Sequence, residues 1–183
     1  MLLRQLFDKE SSTYTYLIAD EASGDACLID PVKKNVEHYL QLIKELNLKL
    51  VLALDTHIHA DHITGLGTLR DTTNCTTMVG SQGDVSCASE SLKEGQVIEL
   101  GDLSIKAIFT PGHTRDSYCF YVESDNQHFI FSGDTRLIRG TGRTDFQNGD
   151  AGQLFDSIHN QILNLPDETI VLPAHDYKGW TTS

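Results

Sequence analysis

Residues 56–62 read THIHADH, which sets His57, His59, Asp61 and His62 within six positions. The run before them, LKLVLAL at 48–54, is too short and too uniformly apolar for a surface helix and predicts a buried strand. An apolar strand therefore runs straight into a cluster of ligand-type side chains. The same junction recurs three times. IKAIF runs into Thr110, Pro111, Gly112 and His113; FIF runs into Ser132, Gly133 and Asp134; IVL runs into Pro173, Ala174 and His175. If these four strands lie alongside one another, their ends meet along one rim. Side chains mounted on strand ends are held more rigidly than side chains on long loops.

Outward from these junctions the pattern alternates. LLRQLF, TYTYLIA and ACLID are short, apolar or aromatic, and separated by turn residues, so they predict strands. Val36, Tyr39, Leu40, Ile43 and Leu46 recur at helical spacing and predict a helix with one apolar face. A second helix is expected to start near His62 and pass through Leu66 and Leu69. VIEL, LSIKAIF, YCFYV and HFIF predict strands, and IVLP a final buried strand. Asp150 and Gln153 have the spacing of a capping box, ahead of an amphipathic helix through Leu154, Phe155, Ile158, Ile162 and Leu165. Strands and helices that follow this plan twice predict an α+β, four-layer αββα sandwich. No low-complexity stretch or linker interrupts it, so residues 1–183 are expected to form one domain.

Composition limits what such a domain does. Fourteen basic and 26 acidic residues leave a net charge of −12, which argues against the nucleic-acid backbone and against anionic lipid. No run of 18 apolar residues predicts a membrane span. The N-terminus, MLLRQLFDKESS, has early acids and no apolar segment followed by small residues, so neither a secretory signal nor a transit peptide is expected, and the cytoplasm is the expected compartment. Cys27, Cys75, Cys87 and Cys119 form no CxxC pair and read as small buried hydrophobes in a reducing compartment.

Five of the eight histidines fall at the strand-end junctions; His38, His128 and His159 read as structural or exposed. Imidazoles and carboxylates together suit Zn, Fe or Mn, and the set contains no thiolate. Seven candidates, His57, His59, Asp61, His62, His113, Asp134 and His175, are too many for one tetrahedral site. Either two metals share Asp134, or one metal is bound and the other groups surround it through hydrogen bonds. Spacing does not choose between these.

The pattern HxHxDH followed by a distant His, Asp and His resembles the metallo-β-lactamase superfamily, in order and over nearly the whole chain. The resemblance implies the αββα fold. Within that superfamily, SGDTRLIRGTGRTDFQNGD at 132–150, with ALDTHIHADHITG and LPAHDYKGW, is similar to persulfide dioxygenases. That likeness implies one non-haem Fe(II) per chain, held by His57, His113 and Asp134. His59, Asp61, His62 and His175 would then surround the metal without binding it. It implies glutathione persulfide and O2 as substrates, and sulfite and glutathione as products. The family often dimerises, which leaves a homodimer open here.

Residues 132–150 also carry Arg136, Arg139 and Arg143, half of the six arginines, with no acid between Asp134 and Asp145. Guanidinium groups grip carboxylates in bidentate fashion, and glutathione has two carboxylates. The resemblance points to Arg139 and Arg143 as the residues that hold it. Tyr177, two residues after His175, is a candidate to reach the metal's bound water. The chain departs from the family pattern after GHT, with Arg115, Asp116 and Ser117 in place of a small, less charged turn, and at Arg136, where relatives often carry an apolar residue. It ends eight residues after His175, where family members usually continue, so no substrate contact from such a tail is expected.

The alternative reading resembles glyoxalase II, a dinuclear hydrolase of glutathione thioesters, with zinc or a second metal bound by the full set of seven. That family adds a C-terminal helical region for glutathione, and the Arg-rich stretch points away from it. A metal-sensing or partner-binding domain is a third reading, and it would make so complete a ligand set accidental.

Overall fold

The protein is described by a computed structural model covering residues 1–83, 88–146 and 148–177; Cys87 and the Lys178–Trp180 end of LPAHDYKGW lie outside the described residues. Two sheets face each other. The first has six strands in the order β1 (Leu2–Asp8), β2 (Thr13–Ala19), β3 (Asp25–Ile29), β4 (Lys49–Leu54), β5 (Thr76–Gly80) and β6 (Glu90–Leu92). β1 to β3 pair antiparallel and β3 to β6 parallel. The parallel steps from β3 to β4 and from β4 to β5 are bridged by helices α1 (Val36–Glu45) and α2 (Leu66–Thr73), as parallel neighbours require. The second sheet has five strands, in the order β11 (Ile170–Pro173), β10 (Gln127–Gly133), β9 (Tyr118–Ser124), β8 (Leu103–Phe109) and β7 (Val97–Leu100). Helix α3 (Ala151–Ser157) precedes β11.

Three apolar layers account for the four-layer order. Ile18, Ile29, Leu54, Ile105, Phe120 and Phe131 are buried between the sheets. Leu17, Leu28, Val36, Tyr39, Ile43, Leu66 and Leu69 are buried between the first sheet and α1 and α2. Ile108, Cys119, Ile130 and Ile162 are buried beneath α3 and the turn that follows it. The central strands β2 and β3 are buried on both faces, β2 throughout, because each face meets a layer. Full burial of a side chain such as Phe120 or Phe131 contributes about 1.5–3 kcal/mol.

Five expectations need correction. Helix α2 begins at Leu66 and not near His62, because residues 56–65 form a loop tied to neighbouring segments by their own side chains. Strands β5 and β6 carry too many polar residues to read as strands from sequence. The final strand is not buried: β11 is an edge strand, and Ile170 and Val171 are 43% and 41% exposed. Phe155 is off the buried face of α3, 59% exposed, one step round the helix from Leu154 and stacked on His159 one turn ahead. The helix also widens to a π turn from Ile158 to Ile162. Asp150 caps α3 by accepting from the Gln153 amide at 2.9 Å, but its own amide bonds the Gly112 carbonyl at 2.8 Å, so only half of the capping box forms. That second bond ties the start of α3 to the loop carrying His113. Cys27, Cys75 and Cys119 are free and buried, as expected.

Candidate metal centre

The ends of β4, β8, β10 and β11 do meet at one rim. One ligand atom each from His57, His113 and Asp134 lies within 4.8 Å of the others, and all three residues are buried. The His57 and His113 rings meet edge-on at 4.9 Å between centroids. His113 Nε2 lies 3.4 Å from Asp134 Oδ2, and His175 Nε2 lies 3.6 Å from Asp134 Oδ1. His59, Asp61 and His62 form a second group of the same compactness, with His175 Nε2 3.7 Å from Asp61 Oδ2.

Hydrogen bonds set which imidazole nitrogen faces inward. His113 Nδ1 donates to the Arg143 carbonyl at 2.7 Å and His175 Nδ1 to the Ser12 carbonyl at 3.1 Å, leaving Nε2 of each as a lone-pair donor. Thr56 Oγ1 gives its single proton to Asp30 Oδ2 at 2.9 Å, so the 2.9 Å contact between Thr56 Oγ1 and His57 Nδ1 has the ring donating. His57 thus also presents Nε2. Gly133 stands against this arrangement at a φ of 52°, where a Cβ would lie 2.6 Å from Thr56 Oγ1.

Asp30 is a member of this cluster's hydrogen-bond network that sequence reading passed over. Its carboxylate also accepts from the Thr56 amide at 2.7 Å and lies 3.1 Å from His59 Nε2. It stands at the end of β3 in a left-handed conformation, φ 53°, a cost offset by this set of bonds. The strand-end rule that picks out Asp134 would have found it in ACLID.

The electrostatics follow from burial and charge. Burial, reinforced by His59, His113, His175 and His62, holds His57 well below the usual imidazole value and therefore neutral. Burial also opposes a charge on His59, but Asp30, Asp55 and Asp61 outweigh it and raise it to about 9. Burial pushes the Asp134 carboxyl up, and neighbouring imidazoles only partly offset this. Asp134 Oδ1, His59 Nδ1 and both nitrogens of His62 are buried without a hydrogen-bond partner. The unpaired lone pairs among them, on Asp134 and on one nitrogen of His62, lie in a buried cluster where a cation would relieve them. The donor set of nitrogen and oxygen fits a first-row transition metal.

A cavity of about 530 Å³ opens onto the cluster and is lined by His57, Asp61, His113, Asp134, Arg143 and Tyr177, with Leu137 and Phe146 as apolar walls. Tyr177 stacks on the His175 ring at 4.8 Å. Burial, with Asp134 and Asp61 nearby, pushes its phenol further up, so it stays protonated. The Arg143 guanidinium is mostly exposed and grips Asp145 through Nε and Nη2 at 2.7 and 2.9 Å. Arg139 lies elsewhere, on the wall of an adjoining cavity of about 170 Å³ with His175 and Tyr177. Arg136 bonds the Gly140 carbonyl at 2.9 Å and braces the loop.

This fold and this rim of histidines and aspartates define the class. The chain belongs to the metallo-beta-lactamase superfamily, whose sequence profile matches residues 8–175. Within the superfamily it belongs to the persulfide dioxygenase family. It is 45% identical over 188 residues to the persulfide dioxygenase ETHE1 of Mus musculus, covering 100% of this chain and 71% of that protein. A crystal structure of ETHE1 from Myxococcus xanthus superposes with a TM-score of 0.94 at 50% identity, covering 100% of this chain and 79% of that one. A probable hydroxyacylglutathione hydrolase of Schizosaccharomyces pombe is more distant, at 34% identity over 90% of this chain and 64% of that protein. Among the described residues no helix is long and apolar enough to cross a membrane.

Proposed function

We propose that this protein is an Fe(II)-dependent dioxygenase that converts glutathione persulfide, O2 and water to glutathione, sulfite and two protons. Membership of the persulfide dioxygenase family supports the reaction. The observation that carries the site assignment is the convergence of His57, His113 and Asp134 within 4.8 Å. These three would hold one iron, and two imidazoles with one carboxylate is the donor set of non-haem Fe(II) oxygenases. When bound, the iron supplies the oxygen and electron-transfer chemistry that side chains lack.

The chain's own residues bind, orient and exclude. Thr56 and Arg143 fix the ring orientations of His57 and His113. Arg143 lines the cavity, which supports a role in gripping a glutathione carboxylate in exchange for Asp145, and Arg139 is a second candidate from the adjoining cavity. The Tyr177 phenol, protonated throughout the working range, can donate to the anionic sulfur of a persulfide. Leu137 and Phe146 limit water at the reacting end. His59 is held by Asp30 and His175 by Ser12, and with Asp61 and His62 they frame the cluster.

The group His59, Asp61 and His62 also supplies the donors that a dinuclear thioester hydrolase needs. Metal analysis with two assays separates the readings. One iron per chain with O2 uptake on glutathione persulfide is expected. Two metals per chain with cleavage of a glutathione thioester would replace the dioxygenase by the hydrolase.

A further inference from the structure

We infer that Asp116 is a positioning residue whose buried carboxylate fixes the spacing between His57 and His113. The inference rests on the reading of those two histidines as metal-holding. His57 follows β4 in the first sheet and His113 follows β8 in the second, so no backbone pairing within either sheet holds them together. The link is made at the rim by residues 116–118. The Tyr118 amide donates to the Thr56 carbonyl at 2.7 Å, and the Ile58 amide donates to Asp116 Oδ2 at 2.9 Å. These two bonds bracket His57 on either side in sequence.

The other end of the link is equally constrained. Asp116 lies three residues after His113, in a turn closed by the Thr114 and Ser117 hydroxyls at 2.7 Å and by the Thr110 amide on the Ser117 carbonyl at 2.9 Å. Asp116 is only 3% exposed. Its carbonyl oxygen sits against Gly80 of the first sheet, where a Cβ would come within 2.3 Å, so the turn is pressed onto the opposite sheet. A carboxylate accepting a backbone amide across this seam converts the His113 turn into a clamp on the His57 loop. A side chain shorter than that of Asp116 could not reach Ile58.

The test compares Asp116→Asn, which keeps an oxygen acceptor of the same shape, with Asp116→Ala, which removes it. Fe(II) affinity is measured anaerobically by competition with a chelator, and thermal unfolding is followed on the metal-free proteins. Asp116→Ala is expected to lower Fe(II) affinity about tenfold or more. It should also lower kcat on glutathione persulfide with little change in KM, and Asp116→Asn should restore both. Leu17→Ala, in β2 and buried against the helices, controls for lost stability and should lower the unfolding temperature without changing iron affinity. Wild-type iron affinity in Asp116→Ala would overturn the inference. So would equal losses in Asn and Ala, or an equal loss in Leu17→Ala at a matched drop in unfolding temperature. If Asp116→Ala does not fold, Asp116→Ser, whose hydroxyl is too short to reach Ile58, is judged by the same outcomes. A wild-type protein that binds iron but does not oxidise persulfide would remove the proposed function and leave the affinity comparison standing.

Discussion

The carbonyl oxygen of Arg143 accepts a 2.7 Å hydrogen bond from Nδ1 of His113. One residue thus orients an imidazole at the centre through its backbone and offers a guanidinium to the cavity through its side chain. The two roles separate cleanly under mutation, because truncating the side chain leaves the carbonyl in place.

Arg143→Ala is therefore expected to keep iron and to bind glutathione persulfide more weakly. Loss of a charge-assisted contact of about 1.5–3 kcal/mol corresponds to a KM increase of roughly ten- to a hundredfold. Metal content and steady-state kinetics on the same preparation check this. An unchanged KM would remove Arg143 from substrate binding.

Gly142 is packed where no side chain fits. A Cβ there would lie 2.6 Å from the Asp134 carbonyl oxygen and 2.7 Å from His113 Nδ1. Gly142→Ala should cost about 1–3 kcal/mol of stability through overpacking. It should also weaken metal binding, since both crowded neighbours belong to the cluster. Wild-type metal affinity in a folded Gly142→Ala protein would contradict this.

Tyr177→Phe retains the ring stacked on His175 and deletes only the hydroxyl. We expect iron binding to persist and kcat to fall by roughly a hundredfold, the low end of what one positioned proton donor contributes. Equal kcat values for the two proteins would assign Tyr177 to packing alone.

Asp8 offers a test by pH. Burial opposes its charge, but the Lys34 ammonium at 2.9 Å, the amide and hydroxyl of Ser11 and the Asn35 side chain hold its carboxyl well below its ordinary value of 3.8. A carboxyl depressed by folding stabilises the fold above its unfolded value, and that stabilisation drains away as acid titrates the folded group. Asp8→Asn should be less stable at neutral pH, by about 1–3 kcal/mol. Its unfolding free energy should also change less than the wild type's as pH falls below 4. Parallel pH profiles from chemical denaturation would show that Asp8 does not contribute.

Much of the architecture is legible in local pattern. Runs such as TYTYLIA and KLVLAL form strands because an apolar run that short can only be covered on both faces inside a sandwich. The α1 face of Val36, Tyr39 and Ile43 is buried as its spacing predicts. Pattern fails where tertiary contacts override it. β5 and β6 are strands because β4 offers an open parallel edge, and α2 starts late because the preceding loop is tied down by Asp30, Asp116 and Thr64. Exposure of Ile170 and Val171 depends on β11 lying at a sheet edge, which sequence does not order.

By itself the sequence determined the αββα class and the roster of histidines and aspartates at strand ends. Both depend on near neighbours in the chain: hydrophobic period, strand length and the residue that follows an apolar run. Only the tertiary structure decided which members of that roster meet, that Arg143 lines the cavity over the cluster and Arg139 the one beside it, and that Asp30 and Asp116 hold the His57 loop from opposite sheets. Those relations join residues 26 positions apart at the rim of the first sheet and 58 positions apart across the seam between the two sheets. Hydrogen bonds of that kind depend on ångström-scale packing of side chains that carry no local signal.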